Sequence, residues 1–150
     1  FNLNEEIPFD EVRDRLNAVM PYGMKIISVA EPKLKITAIA KAEYSFSFKS
    51  DNIKGLADDI EKLLQSDSIL VDKKTKKGIQ QVDIKPFIEI TSKNLSDDKY
   101  NMSMRLPAGT QTNYNPALFF EALKNVTEIP FEVVDIRRTG IFCEDNTIFY

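Results

Sequence analysis

The 150-residue chain has no histidine, no tryptophan and a single cysteine, Cys143. Without histidine, a Ser-His-Asp or Cys-His catalytic centre cannot be assembled from these residues alone. One thiol is too few for a zinc site of Cys and His ligands, or for an iron–sulfur cluster held by cysteines of this chain. It also rules out a disulfide framework, which fits a reducing, cytoplasmic setting. The five glycines are scattered singly, so no Gly-rich phosphate loop is present. No apolar run approaches the ~20 residues that a membrane-spanning helix needs. The formal net charge of −3 supplies no global field toward nucleic acid or an anionic membrane.

What is present is ordinary globular usage, 43% hydrophobic and 29% charged, which points to one soluble domain over residues 1–150. The chain begins with Phe1 rather than Met, and is expected to be a portion of a longer protein. Phe9, Val12, Leu16 and Val19 recur at helical spacing, with Pro21 and Gly23 behind them. Lys25–Val29 is rich in β-branched residues and predicts a strand. Tyr44, Phe46 and Phe48 alternate with Ser45, Ser47 and Lys49, a half-buried strand. Ile53, Leu56, Ala57, Ile60, Leu63 and Leu64 form one stripe of a helix that Ser50 or Asp51 can cap. Ser68–Asp72 and Ile79–Ile84 flank a lysine-rich turn and predict a hairpin. A strand is expected over Pro86–Thr91 and a second where Tyr100, Met102, Met104 and Leu106 alternate with polar residues. Asn115-Pro116 starts a helix whose buried face is expected to carry Leu118, Phe119, Ala122, Leu123 and Val126, and Phe131–Arg138 is a further strand. A last ribbon joins Ile141–Cys143 to Thr147–Phe149.

With the hairpin set aside, the order is β-α-β-β-α-β. That predicts an α+β fold with a ferredoxin-like, split β-α-β core. The sheet is expected to be mixed and mostly antiparallel, with helices on one face, the hairpin as an insertion, and an added N-terminal helix and strand.

Several clusters could carry chemistry. Lys73, Lys74, Lys76 and Lys77 crowd the hairpin tip, where ammonium groups can neutralise phosphates or simply keep an edge soluble. Arg105 lies on the non-aromatic face of its strand, and Arg138 precedes Thr139-Gly140. Guanidinium groups there suit a phosphate or carboxylate ligand, or ion pairs with Asp83, Glu132 or Asp135. Asp83 and Lys85 bracket a strand end before Pro86, as a ligand site or a local pair. Asp58-Asp59 and Asp97-Asp98 belong to a helix surface and a loop, where nothing separates their pKa values. Tyr44, Phe46 and Phe48 have serines between them, not the basic residues of an RNA-stacking strand, and are expected to pack the core. Cys143 beside Phe142 is expected to be a small buried hydrophobe. No catalytic residue and no metal ligand is assigned, and no cofactor is expected within the chain.

Four segments together resemble a known family. They are Leu16-Asn17-Ala18-Val19-Met20-Pro21-Tyr22-Gly23, Ala42-Glu43-Tyr44, Gln81-Val82-Asp83-Ile84-Lys85-Pro86-Phe87-Ile88 and Arg138-Thr139-Gly140-Ile141-Phe142. In order and spacing they resemble the radical SAM-linked protein family, a domain of unknown function found beside, or fused to, radical SAM proteins of a B12-binding type. The resemblance implies that this chain is the C-terminal portion of a longer protein, since the family's histidine-bearing N-terminal segment is not in it. Lys85 stands where the family often has arginine. The resemblance carries over no catalytic residue; it implies a radical SAM protein as partner, and the iron–sulfur cluster would belong to that partner.

Three functions follow as expectations. The first is a non-catalytic accessory or substrate-presenting domain for a radical SAM enzyme, with RNA modification as a candidate reaction. The second is a stand-alone RNA-binding module using Lys76, Lys77, Arg105 and Arg138. The third is a small enzyme working through Asp83 with Lys85 beside it.

Overall fold

A strand with one apolar face must bury that face, and the helices encoded after Tyr44, Phe46 and Phe48 supply the cover. The computed structural model describes residues 3–75 and 78–149, and the chain divides into two compact units, one ending at Leu34 and one spanning Lys35–Phe149.

In the first unit, α1 (Phe9–Asn17) follows Pro8 and buries Val12. Asn17 then ties the chain back on itself. Its Oδ1 accepts from the Ile26 N–H at 2.7 Å, and its Nδ2 donates to the Ile26 carbonyl at 3.0 Å. The strand expected over Lys25–Val29 is absent; these residues are irregular. A ladder needs a neighbouring strand, and the described residues of this unit contain none. A single side chain satisfies Ile26 instead.

The second unit opens with β1 (Lys41–Lys49) and α2 (Ile53–Gln65), then a hairpin of β2 (Leu70–Thr75) and β3 (Gly78–Asp83). After a 3-10 turn at Lys85–Phe87 come β4 (Glu89–Leu95), β5 (Tyr100–Pro107), α3 (Ala117–Val126) and β6 (Glu132–Phe142). The main sheet runs β4-β5-β1-β6, and β2-β3 form a separate two-stranded sheet. Every neighbouring pair is antiparallel, so the sheet is not mixed. The class is α+β, and with the hairpin set aside the strand order is compatible with the ferredoxin-like arrangement. No helix among the described residues is long and apolar enough to cross a membrane.

The core lies between the sheet and helices α2 and α3. Phe46, Phe48, Leu56, Ile60, Met104, Phe119 and Leu123 are completely or almost completely buried there. Phe46, Phe48 and Phe120 meet edge to face, and Phe131 closes on Phe48 in the same way. Tyr44, Phe46 and Phe48 are therefore core residues.

The cap of α2 is Asn52, whose Oδ1 accepts from the Gly55 N–H at 3.1 Å, rather than Ser50 or Asp51. Ser50 instead donates to the Pro130 carbonyl and accepts from the Asn52 N–H. A Cβ at Gly55 would lie 2.6 Å from the Asn52 amide nitrogen and 2.9 Å from Ile129. Glycine is what allows the cap and Ile129 to close over the first turn.

β6 is longer than expected, reaching Phe142, and it breaks register with β1 twice. Asp135, with φ at +57°, lies at one break. Aspartate tolerates this left-handed conformation better than most residues. The expected last ribbon is a turn off the end of β6: Thr147 returns its carbonyl to the Cys143 N–H, and Phe142 bridges Ile148.

A charged cleft at one end of the sheet

In an antiparallel sheet, directly paired residues put their side chains on the same face. Glu43 pairs with Arg105, and Arg105 pairs with Glu89, so three strands contribute one row on the face away from the helices. The next rows on that face are Ser45 with Ser103 and Ser92, then Ser47 with Asn101 and Asn94. Ser47, only 7% exposed, donates to Asn101 Oδ1 at 2.7 Å. This face is therefore polar in its central strands, and Arg137 of β6, paired with Ser45, adds a charge to the second row.

Arg105 holds the middle of that row. Its Nη1 donates to Glu89 Oε1 at 3.4 Å, and its Nε lies 3.4 Å from Glu43 Oε1. Its guanidinium carbon sits 4.1 Å over the Phe142 ring, supplied by the end of β6. The Arg105 and Glu43 side chains are each only 20% exposed. Lys41, from the start of β1, reaches Glu89 Oε2 at 3.2 Å and Asn146 Oδ1 at 3.0 Å. Thr139 donates to Glu43 Oε2 at 3.1 Å. The four groups form a continuous chain of alternating charge, Lys41–Glu89–Arg105–Glu43.

The chain borders a cleft of about 580 Å³. Lys41, Glu89 and Arg105 line one side, the segment Gly109–Thr112 and Glu144 line others, and Phe87 adds an apolar wall. Strand ends build it: Ala40 donates to the Phe142 carbonyl, Ala108 donates to the Ala40 carbonyl, and Ala108 bridges Asn113. The volume falls within the range of about 300–1,000 Å³ typical of small-molecule sites. No group of three Cys, Asp or Glu side chains among the described residues is placed to hold a metal ion.

The structure separates the residues that the sequence singles out. Arg105 lines the cleft. Asp83 does not; its Oδ1 accepts from the backbone N–H groups of Ile69 and Lys85, at 2.8 and 3.0 Å, and closes the base of the hairpin. Lys85 donates its ammonium to the Leu64 carbonyl in the last turn of α2. Arg138 faces the other side of the sheet, 5.6 Å over the Tyr44 ring. Lys76 and Lys77 lie outside the described residues. Their neighbour Lys73 donates to the Asn113 carbonyl at 2.8 Å and sits 4.6 Å over the Tyr114 ring. Lys41, Glu89 and Glu144 are site residues that the sequence does not single out, and Glu43 and Phe142 stand there in motif segments without a site role. The alternation of Lys41 and Glu43 with buried Ala42 and Tyr44 is the signal that puts two of them on the polar face.

No curated protein and no solved structure matches the chain significantly. One family does match, over residues 1–116, and so covers β1 to β5 with Lys41, Glu43, Glu89, Arg105 and the Gly109–Thr112 segment, while Phe142 and Glu144 lie beyond it. With more than half of its length matched, the chain belongs to the family described as an uncharacterized protein conserved in bacteria, DUF2344.

Proposed function

We propose that this domain is an accessory, substrate-presenting partner of a radical SAM enzyme, and that the cleft holds part of what it presents. The observation that carries the binding role is the charged row Lys41–Glu89–Arg105–Glu43, whose first three members line an open cleft of about 580 Å³. Such a row, half withdrawn from water, orients a polar ligand better than a solvated surface does. The partner's identity rests on the four motif segments, and the single cysteine leaves the iron–sulfur cluster to that partner.

The test is co-purification with the neighbouring radical SAM protein, followed by turnover measurements with and without the domain, tRNA being included as the candidate substrate. A complex that raises turnover is expected, and Glu89→Gln is expected to reduce the stimulation while leaving the complex intact. No complex and no change in turnover would sink the proposal.

A further inference from the structure

Which chemistry would the cleft accept? Arg105 is the most informative residue. Charge-assisted N–H···O bonds ordinarily close to about 2.7–2.9 Å. Both contacts of Arg105 with its carboxylates stand at 3.4 Å, and its buried Nε makes no hydrogen bond. Among the described residues Arg105 makes one side-chain hydrogen bond, from Nη1 to Glu89, which leaves the guanidinium N–H capacity for a ligand. The Phe142 ring packs against the guanidinium, 4.1 Å from its carbon. A planar guanidinium fork pairs with a carboxylate through two parallel hydrogen bonds.

A bare anion is nevertheless a poor match. Glu43 and Glu89 already flank Arg105, and Glu144 lines the same cleft without a charged partner among the described residues. A bare cation meets Arg105 and Lys41. A ligand carrying both signs satisfies both sets, its anion on Arg105 and its cation toward Glu144. Thr110, Gln111 and Thr112 bring further polar side chains to the cleft, and Phe87 offers a wall for a short apolar side chain.

We propose that the cleft binds a small zwitterion of the α-amino-acid class, its carboxylate on Arg105 and its ammonium toward Glu144. This rests on the cleft being a binding site, as in the proposed function, and does not require the radical SAM partner.

The 150-residue chain, labelled with nitrogen-15, is titrated by NMR with each common amino acid, and separately with acetate, ethylammonium, inorganic phosphate and a short RNA. At least one amino acid is expected to shift the signals of Lys41 and Thr110–Thr112 saturably. Acetate and ethylammonium should each bind about tenfold or more weakly than that amino acid. Arg105→Lys should weaken binding about tenfold, because the fork is lost while the charge stays. If that variant fails to fold, Glu144→Gln, an exposed position, carries the test and should weaken the amino acid several-fold without altering acetate. No shift with any amino acid overturns the proposal. So does acetate, phosphate or RNA binding at these signals as tightly as the best amino acid. Because no partner is present, failure here is distinct from failure to form the radical SAM complex.

Discussion

Tyr100 and Glu61 show how one buried hydroxyl reports on the fold. The Tyr100 phenol donates to Glu61 Oε1 at 2.7 Å, and the Lys93 ammonium reaches both oxygens of the same carboxylate at 2.7 Å. The bond from Lys93, then the bond from Tyr100, hold the Glu61 carboxyl below its ordinary value near 4.5. Burial, then the bond to Glu61, push the Tyr100 phenol well above its ordinary value of 10.0. The depressed carboxyl contributes stability that is present above pH 4.5 and lost as pH falls through its folded value. The raised phenol contributes stability that is present below pH 10.0 and lost as pH rises toward its folded value. Tyr100→Phe should therefore cost about 1 kcal/mol at neutral pH. It should also flatten the alkaline loss and move the Glu61 titration up toward 4.5. Urea midpoints across pH, with carboxyl NMR titration, check all three. Lys85→Met removes the ammonium from the Leu64 carbonyl and should cost about 1 kcal/mol in the same urea assay. It should leave amino-acid binding unchanged, since Lys85 does not line the cleft.

At the scale of elements, local patterning carried most of the information. The stripe of α2 and the alternations of β1 and β5 are complete in the sequence, because a helix face or a strand face is set by neighbours a few residues apart. The Asn52 cap is not legible in the sequence because three polar residues, Ser50, Asp51 and Asn52, stand together, and only the backbone at Gly55 selects among them. Asn52→Ala should cost about 1 kcal/mol, read as a lower thermal midpoint without a change in helix content. Lys25–Val29 shows the opposite weakness. Its residues favour a strand, but a strand is a property of pairs, and the described residues of its unit contain no other strand. The charged row needed register as well. Arg105 was legible as a polar-face residue, but that Glu43 and Glu89 flank it depends on two pairings fixed by the folded sheet. The Phe142 platform was less legible still, because two register breaks in β6 intervene.

For the whole molecule, the core decides stability and the opposite face decides chemistry. Phe119 is fully buried among residues from the sheet and both helices of its unit, so Phe119→Ala should lose about 3–5 kcal/mol through transfer and cavity costs together. The measurement is the urea midpoint, and a loss under 1 kcal/mol would show that the core is looser than described. Of the polar rows beside Arg105, Ser47 is buried, but Ser45 is only half-buried, so Ser45→Ala should leave the midpoint nearly unchanged. The order of strands has another consequence, one of timing. β1 is central, yet one of its two neighbours is the last strand of the chain. On a ribosome adding about 5–20 residues per second, the long stretch between Lys49 and Glu132 takes seconds to appear. Throughout that interval one edge of β1 has no partner from its own sheet, and Arg105 has no ring beneath it. The cleft is therefore among the last features to mature, and a nascent chain stalled before β6 would expose an unpaired strand edge, the kind of surface that chaperones shield.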